Sequence, residues 1–177
     1  LAAAGARWFA SDEEVLRRSL PPGTVGAGAD AAPYQPWRVR IQGTECAAVF
    51  RDHRLSDLIG FTYARMGAGE AVEHFLAEVR RAGARAAQAL GDRPPLVTVV
   101  LDGENCWEGY PDDGHEFLTR LYAALAEAKD IRTTTISDHL RRHPPAATLT
   151  RLWAGSWIRA NFGIWIGHPE DNAAWDA

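Results

Sequence analysis

Leu96-Val97-Thr98-Val99-Val100-Leu101 decides the fold, because it is a continuous apolar run rich in β-branched residues. Such a run is typical of a strand that is buried on both faces of a parallel sheet. The run stops at Asp102, and residues 102–108 hold three acids and one tryptophan. In parallel α/β folds the ligand site lies beyond the carboxyl ends of the strands. We therefore expect a central parallel strand that delivers Asp102 to a site.

Helical and extended patterns alternate on both sides of this run. Ala68 to Leu90 is alanine-rich with apolar residues at helical spacing, and it predicts a long amphipathic helix. Shorter strands are predicted at 5–10, 37–41, 46–50 and 131–135, a surface loop at 26–33, and further helices from 11, 51, 117, 137 and 169. The order β-α-β-α predicts an α/β fold with parallel strands and following helices.

Composition excludes several classes of protein. The 177 residues are 46% hydrophobic and 24% charged, which suits one globular core. A net charge of -4 argues against a nucleic-acid partner, and no apolar run approaches the roughly 20 residues of a membrane span. Cys46 and Cys106 are too few for a disulfide framework, and they lack zinc-site spacing. Compartment and oligomeric state stay open.

Two groups of acids follow predicted strands. One begins at Asp102, and the other is Asp12-Glu13-Glu14, after Trp8-Phe9. Two carboxyl groups from separate strand ends are what glycoside hydrolysis needs, since one protonates the leaving oxygen while the other attacks or activates water. Glu14 also fits a capping box with Ser11, which leaves Glu13 as the freer acid. Asp102 also fits an ordinary turn before Gly103.

Two further features admit both a structural and a functional interpretation. Trp107 follows a predicted strand end, where an indole can stack on a sugar or fill the core. His139 and His143 stand four residues apart, the spacing of two metal ligands on one helix. Pro144 follows, and no acid is spaced to complete a site. We expect no metal there.

Four stretches resemble one enzyme family, and they occur in the family's order. Val99 to Glu108 is similar to the catalytic acid region of glycoside hydrolase family 57, particularly its amylopullulanase-like and α-amylase-like members. Trp8 to Leu16 resembles the nucleophile region of that family. Phe50 to Phe61 and Gly155 to Asn172 are similar to later stretches. The resemblance spans nearly all 177 residues.

The resemblance implies a retaining hydrolase or transglycosylase that acts on α-glucans or maltooligosaccharides without a cofactor. It makes Glu13 the nucleophile and Asp102 the general acid/base, although Glu14 stays open as the nucleophile because the acid run is contiguous. The implied fold is a partial (β/α)7-type barrel. Two upstream motifs of the family are not in this sequence, so we expect residues 1–177 to be the C-terminal half of a catalytic barrel whose N-terminal strands lie elsewhere.

Secondary site residues are expected around these two acids. Trp107 and Trp157 are candidates for sugar stacking. The polar candidates for binding hydroxyl groups or orienting the acids are Arg51, Asp52, Asp57 and His168.

Two alternative functions remain open at this point. A carbohydrate-binding or regulatory module would retain the tryptophans without turnover. A metal-dependent polysaccharide deacetylase would need an Asp and two converging histidines, for which the donors are His53, His139 and His168.

Overall fold

The computed structural model describes residues 2–103 and 107–176, and it contains a four-stranded sheet. Its strands are β1 (Trp8–Asp12), β2 (Trp37–Ile41), β3 (Thr44–Arg51) and β4 (Ala147–Leu149), in the order β1-β3-β2-β4. β1 runs parallel to β3, and β2 runs parallel to β4, whereas β2 and β3 are antiparallel. The α/β class is therefore confirmed, while the all-parallel sheet is wrong.

The antiparallel pair has a local cause in the turn that joins β2 to β3. Ile41 pairs with Thr44, so only Gln42 and Gly43 connect the two strands. Both residues have positive φ, 50° and 76° respectively. Two consecutive residues with positive φ form the tight turn whose twist suits a β-hairpin. The two strands predicted here are confirmed, and the turn sets their direction.

Seven α-helices lie among the described residues. They are α1 (Glu13–Ser19), α2 (Ala27–Ala31), α3 (His53–Asp57), α4 (Ala68–Leu90), α5 (His115–Glu127), α6 (Ile136–Arg142) and α7 (Pro169–Trp175). A π-helical turn, Leu58–Thr62, continues α3, and short 3₁₀ turns span Ala2–Ala4, Ala32–Tyr34, Tyr63–Arg65 and Pro111–Gly114. No helix in the described ranges combines the length and apolarity of a membrane span.

Two apolar cores hold these elements together. The larger core lies where α4 packs against α2 and α5, and Phe75 and Phe117 are buried there. The smaller core lies against the sheet and contains Leu16 of α1 with Phe50 of β3, both fully buried. The site described below lies where β1 and β3 end.

The run 96–101 differs from its prediction, because it forms no regular strand. Its backbone hydrogen bonds are irregular: the Leu96 amide donates to the Tyr34 carbonyl, and the Thr98 carbonyl accepts from the Asp52 amide. The Val100 amide donates to the Ser56 hydroxyl. Only Thr98 is buried within the run. The segment is thus an extended connection held by loops and by α3, and the central strand predicted here is wrong.

Three smaller predictions also need correction. Residues 131–135 form no strand, and the predicted loop at 26–33 contains α2 and a 3₁₀ turn. The cap of α1 is Asp12, whose carboxylate accepts from the Glu14 amide, because β1 extends two residues beyond its predicted end and so passes Ser11. The sheet is open, so a barrel is not shown.

Candidate active site

A cavity of about 710 Å³ opens at the carboxyl ends of β1 and β3. These two strands are parallel, so their last residues meet at one edge of the sheet. The volume lies within the range of about 300–1,000 Å³ that is usual for small-molecule sites. The described residues that line it are 10–12, 51, 56–57, 60–61, 100–102, 108–109 and 156–157.

Asp12 ends β1 with a side chain that is wholly buried. Its Oδ1 accepts from the Glu14 amide at 2.9 Å, and its Oδ2 accepts from Arg51 Nε at 2.7 Å. His53 Nδ1 lies 2.9 Å from the same Oδ2. A buried carboxylate is tolerated when a cation and hydrogen bonds compensate for its lost hydration. Asp12 therefore fixes the end of β1 and the start of α1 against β3 and α3.

His53 connects this carboxylate to a second one on the cavity wall. Its Nε2 lies 3.0 Å from Asp57 Oδ2, while Arg51 Nη2 lies 3.6 Å from Asp57 Oδ1 and 3.0 Å from His53 Nδ1. The ring tautomer decides whether Nδ1 donates to Asp12 Oδ2 or accepts from Arg51 Nη2. Asp57 Oδ1 is buried and has no hydrogen bond in the described residues. Asp57 is thus held at the cavity, and its Oδ1 remains available to accept a hydrogen bond.

Glu13 begins α1, and its side chain is one-fifth exposed. Burial raises its pKa, while Arg17, whose Nη2 lies 3.4 Å from Oε1, and the His53 backbone amide favour the ionised form. Glu13 is not among the described residues that line the cavity, whereas its neighbour Asp12 is. The predicted nucleophile therefore lies beside the cavity wall, on the first turn of the helix that Asp12 caps.

Asp102 does line the cavity, and it is exposed there. Glu108 lines the same cavity and is also exposed. Between them, Glu104, Asn105 and Cys106 lie outside the described residues. The structure therefore brings Asp102, Asp57 and Glu108 to one cavity from different segments of the chain.

The two predicted stacking tryptophans have different surroundings. Trp157 lines the cavity, and the Arg51 guanidinium lies 5.1 Å from its ring centroid, within cation–π distance. Trp107 is half-buried, with its ring 5.4 Å from that of Tyr110 and 6.3 Å from that of Phe117. The contacts of Trp107 are those of a residue that packs on the larger core. We therefore expect packing, rather than the sugar stacking proposed from the sequence, to be its main role.

Asp52 and His168 are not among the described residues that line the cavity. Asp52 is buried and caps α3, since its Oδ1 accepts from the Leu55 amide and its Oδ2 from the Tyr34 hydroxyl. Burial, together with Asp52, raises the pKa of that hydroxyl. His168 is exposed and precedes α7. Asp52 thus orients α3, which carries His53 and Asp57.

Sequence reasoning missed three members of the site. The sequence favours Glu13 over its neighbour Asp12. Asp12 would be the expected strand-end residue if β1 were predicted to reach residue 12. His53 was considered only as a metal donor, although Asp57 lies four residues later on the same helix. Phe61 lines the cavity with a ring that is largely exposed. The available signal was its place at the end of the stretch 50–61, which resembles the family.

The metal-dependent deacetylase alternative needs a set of metal ligands, and the described part of the chain contains none. That part holds no group of three or more His, Cys, Asp or Glu residues arranged to bind a metal. His139 instead packs against His143, with ring centroids 5.0 Å apart, and burial lowers the pKa of His139.

The family assignment follows from comparison with known proteins. The family model for glycosyl hydrolase family 57 matches residues 1–151. The chain belongs to this family. The predicted membership of glycoside hydrolase family 57 is thereby confirmed over residues 1–151, and no curated protein matches the chain.

One solved structure shares the fold of this family 57 chain. The crystal structure of 4-alpha-glucanotransferase from Thermococcus litoralis superposes with a TM-score of 0.64 at 17% sequence identity. The alignment covers 88% of this chain and 22% of the glucanotransferase. The chain therefore shares a fold with about one-fifth of that enzyme.

Proposed function

We propose that this family 57 protein is a retaining glycoside hydrolase or transglycosylase that acts on α-glucans. The observation that carries the proposal is the cavity at the ends of β1 and β3, which has Asp102 on its wall and Glu13 beside it. Family membership supports a carbohydrate substrate. The name of the glucanotransferase that shares the fold supports an α-glucan.

The proposed mechanism has two steps and uses two carboxyl groups. Ionised Glu13 attacks the anomeric carbon and forms a glycosyl ester, while protonated Asp102 donates its proton to the departing oxygen. Asp102 then takes the proton of a water molecule or of an acceptor hydroxyl group. Attack by that oxygen releases the sugar.

Asp12 is better suited to hold the site together than to attack. Both its oxygens already accept hydrogen bonds, and its side chain is wholly buried. A nucleophile must reach the substrate, whereas the Asp12 carboxylate is held in place by the Glu14 amide, Arg51 and His53. Asp12 is therefore assigned as a positioning residue for Glu13.

We further propose that residues 1–177 form part of a (β/α)7-type catalytic barrel. β1 and β4 are the outer strands of the described sheet, so each has one edge available for pairing. The small share of the glucanotransferase that the chain covers is consistent with this arrangement. The activity of the whole protein would then depend on further barrel strands.

The test is turnover of maltoheptaose by the full-length protein and its Asp102→Asn variant. NMR of the first products is expected to show the α-anomer, because two displacements retain configuration. The variant is expected to lose about 10³-fold in kcat/KM, since proton transfer by a placed side chain typically contributes this much. A β-anomeric first product contradicts the two-step mechanism. Binding without turnover in the wild type identifies the carbohydrate-binding alternative.

Trp107→Ala tests the two interpretations of this tryptophan. Because its ring packs on Tyr110 and Phe117, we expect the free energy of unfolding to fall by about 2–4 kcal/mol. Affinity of the folded fraction for maltoheptaose is expected to stay near the wild-type value. Urea denaturation and calorimetric titration measure the two quantities. Trp175→Ala is the control, since that ring is 72% exposed. Weaker binding with unchanged stability would instead assign Trp107 to the sugar.

A further inference from the structure

Phe61 is an exposed aromatic residue on the cavity wall. It lies in the π-helical turn Leu58–Thr62, between the buried side chains of Ile59 and Tyr63. Because these two neighbours point into the larger core, Phe61 is directed away from it and is 64% exposed. Extra residues in π-helical turns occur frequently at functional sites. The turn therefore places an apolar ring in water at the cavity.

The remaining cavity wall complements a sugar better than a wholly apolar ligand. Trp157 supplies a second aromatic ring, one side of which faces the Arg51 guanidinium. Asp57, Asp102 and other polar side chains supply hydrogen-bonding groups. A pyranose presents apolar C–H groups on its ring faces and hydroxyl groups around its edge. Apolar rings combined with a few placed polar groups match this pattern.

We propose that Phe61 is a stacking platform for a glucosyl unit and that, with Trp157, it makes the site prefer oligosaccharides to disaccharides. The proposal rests on the proposed function for the α-glucan, whereas the stacking contact rests on Phe61 itself. Two separate rings on one open cavity can contact more than one sugar unit of a chain. Affinity is therefore expected to increase with chain length, and Phe61 supplies part of that increase.

Tyr122 provides a matched control for exposure. It lies on α5 and is 66% exposed, nearly the same fraction as Phe61, but it is not among the described cavity-lining residues. A general effect of removing an exposed ring would therefore appear in both Phe61→Ala and Tyr122→Ala. An effect on sugar binding should appear only for Phe61.

The experiment is calorimetric titration of the full-length protein carrying Asp102→Asn, which prevents turnover of the ligand. Phe61→Ala is expected to weaken maltoheptaose binding about tenfold, the usual scale of one lost aromatic contact, and to change maltose binding less than about twofold. Phe61→Tyr should restore binding, because it keeps the ring. Phe61→Leu should bind as weakly as the alanine variant. Tyr122→Ala should leave both affinities unchanged.

Four results would overturn the proposal or separate it from the proposed function. Equal maltoheptaose affinities for Phe61→Ala and Tyr122→Ala overturn it. Wild-type affinity in Phe61→Leu also overturns it, because an apolar contact within the protein would explain that result. If cellohexaose binds with the same dependence on Phe61 while maltoheptaose does not bind, the platform stands and the α-glucan assignment fails. Binding of neither oligosaccharide overturns both.

Discussion

Glu13→Ala is expected to lower turnover of maltoheptaose by about 10⁴-fold or more, because loss of a nucleophile removes the covalent step itself. Azide should restore part of the turnover, since a small anion can enter the space left by the carboxylate and attack the same carbon. The product is then a glycosyl azide. Steady-state kinetics with and without azide measure the loss and the rescue, and mass spectrometry identifies the product.

Glu14→Ala is the matched control, because it removes the adjacent carboxylate from the same helical turn. The Glu14 side chain is 44% exposed and pairs with Arg18 at 3.2 Å. Exposed pairs of this kind contribute little, so turnover should stay within about twofold of wild type. An inactive, azide-rescued Glu14→Ala beside an active Glu13→Ala would move the nucleophile by one position.

Asp12→Ala should cause the largest loss of stability among single substitutions at the site. It leaves the Arg51 guanidinium, 9% exposed, without its buried partner, and it removes the cap of α1. Breaking one side of a buried ion pair typically costs about 3–5 kcal/mol. The free energy of unfolding from urea denaturation should fall by about this amount.

Asp130→Ala supplies the comparison for that measurement. Asp130 also pairs with an arginine, since Arg80 Nε lies 2.6 Å from its Oδ2, but both side chains are about half exposed. Water screens such a pair, so its loss should change stability far less than the loss of Asp12. Equal effects of the two substitutions would show that the Asp12 contacts do not stabilise the fold.

The helices and the hairpin strands could be predicted because their signals are local. The apolar spacing of α4 follows from burial against α2 and α5, so the sequence marks its whole length from Ala68 to Leu90. Strand direction was missed between β2 and β3, since it depends on the backbone angles of the two turn residues. The prediction of a strand at 96–101 was wrong because apolar, β-branched composition does not show where the backbone hydrogen bonds go. They go to loops and to the Ser56 hydroxyl, and not to a neighbouring strand.

The sequence suggested some of the residues that line the cavity and not others, for a related reason. Asp102, Arg51, Asp57 and Trp157 line the cavity, as their positions in the sequence suggested. Along a strand, successive side chains point to opposite faces, so a difference of one residue at the end of β1 decides which acid reaches the wall. Asp12 occupies that position in the structure, and the sequence alone could not fix where β1 ends.

The direct passage from β1 to α1 has a consequence for protein engineering. Asp12 is both the last residue of the strand and the cap of the helix, so no loop separates the two elements. An inserted residue has no flexible segment to absorb it, and it would shift either the strand register or the helix start. Length variation in a designed library therefore belongs in exposed segments such as residues 21–25, where chain length can change without displacing Asp12 or Glu13.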